Sequence, residues 1–161
     1  MKRFLLVTAV IASLAVARPG KAALGWTLAE CQQNYHSEAT YDGEKCGLDC
    51  YSFQREGFNW ISVLFEYGRV IAVRYSAPSV LMDEARVQRL LKHNAPTTAW
   101  GFMGRSKDRK IAYFGGIDGG SLKYYATLEE TVFSGTKTTL LQISTMEPSD
   151  RIKEQRQNEK Y

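Results

Sequence analysis

Period-two alternation is the feature that most restricts what this chain can become. Tyr51 and Phe53 alternate with Ser52 and Gln54, and Ile61, Val63 and Phe65 alternate with Ser62, Leu64 and Glu66. Such spacing puts one set of side chains on a buried face and the other on a solvated one, which is the signature of half-buried strands. Turn chemistry then sets the register. With Glu66 and Tyr67 in a type I turn and Gly68 left-handed, residue 63 pairs with 71 and 61 with 73, so Ile61, Val63, Phe65, Ile71, Val73 and Tyr75 share a face. A two-residue turn at Ser134 and Gly135 pairs 132 with 137, 128 with 141 and 126 with 143. Leu122, Tyr124, Ala126, Leu128, Val132, Leu141 and Ile143 then line one side. Thr127, Glu129, Thr131, Gln142 and Ser144 line the other, as expected of an antiparallel sheet covered on one side. Thr127 and Glu130 also stand at capping-box spacing, so a short helical turn breaking this hairpin is the alternative.

Two helices interrupt the strands. Thr27 and Glu30 form a capping box, Trp26 and Cys31 a hydrophobic staple, and Leu28, Cys31 and Tyr35 fall on one face of the helix that follows. A second helix is expected over 82–93, with Asp83 and Glu84 in its first turn, Lys92 and His93 in its last, and Asn94, Ala95 and Pro96 stopping it. Further strands are expected near 100–103, 111–114 and 122–127. The expected fold is therefore α+β: one curved antiparallel sheet of about six strands with two helices packed on one face, in the order α-βββ-α-βββ. The repeated order also suggests an internal duplication.

The ends of the chain read differently. Lys2 and Arg3 precede an apolar run over 4–17, and Pro19 and Gly20 break it before small residues follow, the layout of a secretory signal peptide. The run falls short of the roughly 18 apolar residues of a membrane-spanning helix. Cleavage is expected after Ala22, with Ala17 as the second choice, giving a secreted or periplasmic product without a stable membrane anchor. A single domain over 23–146 and a charged tail over 147–161 are expected to follow. Cleavage removes Lys2, Arg3, Arg18 and Lys21 but no acid, so the surplus of 21 basic over 17 acidic residues falls to zero. Nucleic-acid binding relies on such a surplus and is not expected. One basic cluster remains, Arg105, Lys107, Arg109 and Lys110, read as a solvated hairpin tip or as a contact for an anion or acidic partner.

Cys31, Cys46 and Cys50 are an odd set, so at most one intramolecular disulfide can form. Cys46–Cys50 is the first candidate, and a bridge from Cys31 to either is the alternative. No metal is expected, because the three lack zinc spacing and a nearby histidine. No cofactor is expected either. GxSxG, HExxH and phosphate-loop motifs are absent from the sequence. His36 and His93 read as structural or surface residues. The glycine-rich stretch over 115–120 lies between strands and reads as a hairpin loop rather than a phosphate cradle. Glu129 and Glu130, adjacent on a strand, point to opposite faces and do not form a carboxylate pair.

Trp60, Trp100, Tyr125 and Phe133 fall on or near the face that this register leaves uncovered, where exposed aromatics mark contact sites. Thr27-Leu28-Ala29-Glu30 opening a short helix, followed by Val63-Leu64-Phe65-Glu66-Tyr67-Gly68-Arg69-Val70, resembles the pattern in small bacterial outer-membrane-assembly lipoproteins and the related β-lactamase-inhibitor folds. The lipid-bearing cysteine of those lipoproteins is missing. The resemblance implies an exported protein-binding module. The expected function is a non-catalytic binding or inhibitory module for a protein or glycan, in the cell envelope or outside the cell. A small exported enzyme is the alternative, and clustering of Cys50, His93 and a carboxylate in one cleft would favour it.

Overall fold

A computed structural model describes residues 23–145 except Cys46. Helix α1 (Leu28–Tyr35) begins at Thr27, whose hydroxyl accepts from the Glu30 N–H at 3.3 Å, while the Glu30 carboxylate accepts from the Thr27 N–H at 2.9 Å. The capping box is thus reciprocal, and it directs Cys31 and Tyr35 inward. Helix α2 (Glu84–Asn94) begins at Asp83, which accepts from the Arg86 N–H at 2.7 Å, and it buries Val87 and Leu91. It starts later than expected because a tight helical turn over Ser79–Leu81 ends at Met82.

The strands are β1 (Thr40–Lys45), β2 (Leu48–Phe53), β3 (Trp60–Glu66), β4 (Arg69–Pro78), β5 (Ala99–Arg105), β6 (Ile111–Asp118), β7 (Ser121–Phe133) and β8 (Thr136–Thr145). They form one open antiparallel sheet in the order β1-β2-β3-β4-β8-β7-β6-β5. This corrects the expected fold class. The protein is mostly β, with eight strands rather than about six, two short helices, and the order α-ββββ-α-ββββ. Strand β1 escaped the sequence reading because it is an edge strand exposed at nearly every position, so its residues carry no apolar alternation. Each half runs one helix and four strands, and the last strand of each, β4 and β8, pair in the middle. The buried positions Cys31 and Tyr35 of α1 have counterparts at the same i, i+4 spacing in Val87 and Leu91 of α2, the spacing that puts two side chains on one helix face.

Register departs from expectation at two turns. Tyr67 and Gly68 both have positive φ (48° and 70°) and form a two-residue turn closing Glu66↔Arg69. A bulge at Ile71 then restores the phase, so Val63 meets Val73 and Ile61 meets Tyr75. Val70, not Ile71, joins the core face. Strand β6 continues through the expected glycine loop to Asp118, and only Gly119 and Gly120 (φ 60° and 80°) make the turn. The Ser134-Gly135 hairpin has the expected register, Val132↔Lys137, Leu128↔Leu141 and Ala126↔Ile143. No helical turn interrupts it. A register shift where Ile117 meets Leu122 moves Leu122 to the other face.

Both helices cover one face of the sheet. Trp26, Cys31, Tyr35, Val87 and Leu91 pack with Phe53, Ile61, Val63, Val73, Tyr75, Ala126, Leu141 and Ile143 in a single core. Helix α2 packs over β8 and also reaches the first half: Arg86 donates to the Gly57 carbonyl at 3.0 Å and sits 4.3 Å over the Phe58 ring, and the His93 and Trp26 rings meet in a T-shaped pair. Burial and the charge of Arg55 hold the His93 imidazole below its ordinary value, against the helix dipole that would favour its cation.

Burial, reinforced by Glu30, pushes the Cys31 thiol from 9.0 up to about 12. The thiolate is the reactive form, so native Cys31 should be alkylated orders of magnitude more slowly than Cys31 in denaturant. The folded value lies above the unfolded one. Stability from this group is therefore complete below pH 9.0 and is lost as pH climbs toward 12. Alkylation kinetics followed by mass spectrometry, together with a Cys31→Val variant less sensitive to alkali, check both statements. Equal labelling rates in native and denatured protein would refute the buried thiol.

Candidate binding surface

The register assigns every strand residue to one of two faces. Away from the helices, one row runs Cys50, Leu64, Ala72, Ser144, Tyr125, Gly115 and Gly101, and the next runs Ser52, Ser62, Arg74, Gln142, Thr127 and Tyr113. Among the described residues, neither helix packs on this side. Its centre is made of small residues, Ala72, Ser76 and Ser144, sunk among larger neighbours. The Arg74 guanidinium donates to Gln142 Oε1 at 2.6 and 3.2 Å, crossing the β4–β8 seam and tying the two halves together.

The four aromatics do not gather. Trp60, Tyr125 and Phe133 lie on the helix-free face, but Trp60 is three strands from Tyr125, and Phe133 is at the far end of β7 opposite Thr136. Trp100 is on the helix side. It pairs with Gly116, stacks at 6.3 Å on Tyr124 and packs against the core. That assignment to the uncovered face is corrected: counting from the β5–β6 pairing puts Trp100 in phase with Phe114, and this pairing is not legible from β5 alone.

A more compact feature lies at the β5–β7 end of the helix-free face. Gly101 and Gly115 stand opposite each other and present no side chains. Met103 and Leu122 close over the gap, since a Cβ on Gly115 would lie 2.6 Å from Met103 Sδ and 2.9 Å from Leu122 Cδ1. Ile117 adjoins them, and Tyr113 and Tyr125 flank them as a tilted pair 5.9 Å apart. Met103, Ile117 and Leu122 remain 57%, 49% and 40% exposed. The sequence reading missed these three because two irregularities put them there. A bulge in β5 re-aims Met103, and the shift in β6–β7 re-aims Leu122. The aligned glycines were the available signal.

The other candidate groups stay apart. Cys50 faces away from the helices, 3.3 Å from Ser62 Oγ, whereas Cys31 and His93 lie on the helix side. A Cys31–Cys50 bridge would have to cross the sheet, and both are free thiols. Cys46 lies outside the described residues, as do the expected signal segment and the tail. Cys50 and His93, on opposite sides of the sheet, do not form a nucleophile pair. Glu129 and Glu130 point to opposite faces, as expected. Among the described residues no group of three or more His, Cys, Asp or Glu side chains is placed to hold a metal.

No protein-family model, curated protein or solved structure matches the chain. The residues carrying the resemblance to assembly lipoproteins and inhibitor folds make a helix cap and a hairpin turn, local devices that unrelated chains also use.

Proposed function

We propose that this is an exported, non-catalytic module that binds a protein through the helix-free face of its sheet. The observation that carries the reading is the exposed cluster of Met103, Ile117 and Leu122 over Gly115, flanked by Tyr113 and Tyr125. Exposed apolar residues grouped on a flat surface and bordered by tyrosines match the composition of protein-contact cores. The separation of Trp60 from Trp100 by the thickness of the sheet makes a two-tryptophan glycan platform the weaker choice. The sequence supports export through its basic start, short apolar run and small residues before Ala23.

The test uses protein recovered from the exporting cell, whose amino terminus should be Ala23. Cross-linking in envelope extract should capture a specific protein, and a Met103→Asp, Ile117→Asp double variant should lose it. Charges placed in a contact core are expected to weaken binding about thirtyfold or more. Both positions are exposed, so thermal unfolding of the variant should match the parent. Undiminished capture by a folded variant would refute this surface, and a product retaining its first 22 residues in a membrane fraction would refute export.

A further inference from the structure

The ladder between β6 and β7 stops at Ile111↔Glu129, but β7 stays paired with β8 as far as Phe133↔Thr136. Over 130–133, β7 therefore has, among the described residues, a strand neighbour on one side only. In an antiparallel strand alternate residues turn both amide groups to the same side, so this short edge offers hydrogen-bond donors and acceptors together. Beside it, between β7 and the β5–β6 hairpin, lies a cleft of about 590 Å³ whose lining sets four cations, Arg105, Arg109, Lys110 and Lys137, against two acids, Glu129 and Glu130. Among the described residues, none of its four cations has a carboxylate within 4 Å. The hairpin's own acid is committed to its turn: Asp108 accepts from Ser106 Oγ at 2.5 Å and from the Lys110 N–H at 3.2 Å, which holds its carboxyl below the usual range.

We propose that this cleft holds an extended acidic peptide segment of a partner, added as a short strand to the open edge of β7. The edge supplies main-chain hydrogen bonds and the four cations read carboxylates, the division of labour found in strand addition. Four extended residues span about 13 Å, and the cleft falls within the roughly 300–1,000 Å³ of ligand sites. A peptide fits better than a free anion, because the cations come from separate segments and the edge presents acceptors as well as donors. Glu129 and Glu130, adjacent on β7, disfavour an acid beside them, so the carboxylates belong at the hairpin and Lys137 sides. The site is at another place on the sheet from the Met103 cluster, so each proposal can fail alone.

The probe is a fluorescent, end-blocked hexapeptide alternating valine and glutamate, titrated into the intact protein at low ionic strength. Binding should appear in anisotropy, weaken with salt, and fall about tenfold or more in a Lys110→Glu, Lys137→Glu variant. An alternating valine–lysine peptide should not bind. A peptide N-methylated at alternate positions should bind at least about tenfold more weakly if strand addition is correct, and this arm needs no variant. Absence of binding, indifference to N-methylation, equal binding of the lysine peptide, or displacement by inorganic phosphate would each overturn the proposal, the last in favour of a small-anion site.

Discussion

Replacing Asn94 with alanine should destabilise the protein by about 2–4 kcal/mol and lower its melting temperature by about 10 °C. Asn94 is wholly buried at the end of α2. Its amide donates to the Leu90 carbonyl at 2.7 Å and to the Tyr75 hydroxyl at 3.0 Å, and its Oδ1 lies 3.3 Å from that hydroxyl. The Tyr35 hydroxyl completes the group at 3.5 Å. This is the polar heart of the core, and it joins α1, β4 and α2. Without Asn94 the Tyr75 hydroxyl keeps only the long contact to Tyr35, so a desolvated polar group and a small cavity are left together. Tyr75→Phe should cost less, about 1–2 kcal/mol, because one hydroxyl is lost and the amide still reaches Leu90. The two effects should be less than additive in a double-mutant cycle, since each removes the same contact. A full set of denaturation curves measures this. A cost for Asn94→Ala below about 0.5 kcal/mol would mean that the network carries no stability.

The second large effect concerns two adjacent glycines with opposite surroundings. Gly116→Ala should cost about 1–3 kcal/mol, whereas Gly115→Ala should cost much less. A Cβ on Gly116 would lie 2.7 Å from Thr98 Cγ2, 2.9 Å from Tyr124 Cβ and 3.3 Å from the Trp100 ring. The Tyr124 Cβ is fixed to the β7 backbone, and the Trp100 ring is held against the core. A Cβ on Gly115 meets only the ends of Met103 and Leu122, which are half-exposed and can move. Gly115→Ala should therefore leave stability nearly intact and instead disturb the Met103 cluster, weakening capture of the partner. Melting temperatures of the two variants decide the first point. Equal losses would show that Met103 and Leu122 are held as rigidly as Trp100.

Local devices were legible because their determinants sit within a few residues. The Thr27–Glu30 cap, the Asp83–Glu84 start of α2 and the Ser134-Gly135 turn follow from short-range hydrogen bonding and from residues that tolerate positive φ. From that turn alone the β7–β8 register, and with it the core positions of Ala126, Leu128, Leu141 and Ile143, could be counted outward. The turn at Tyr67-Gly68 is tighter than the expected bulged turn. That expectation rests on strict alternation from Phe65 to Tyr75, which leaves no room for an extra residue within β4. The bulge at Ile71 allows the tighter turn and the buried face to coexist, and a bulge has no local sequence mark here.

Alternation and capping residues, read in order, were sufficient for two helices, an antiparallel sheet with one buried face, and the outward pairing of its last hairpin. Three things had to wait for the folded chain. Strand β1 exists because β2 offers it an edge, not because its own residues demand burial. The meeting of β4 with β8 joins the two halves into one sheet, and α2 then packs across that seam, on β8 and against Phe58, Tyr75 and Trp26 of the first half. The functional surfaces follow from these long-range pairings. Bulges rotate Met103 and Leu122 outward, while strand counting across the sheet sends Trp60 and Trp100 to opposite sides. A strand's own pattern specifies that its faces differ, but the partner beside it specifies which face is which, and that choice rests on contacts between residues far apart in the chain.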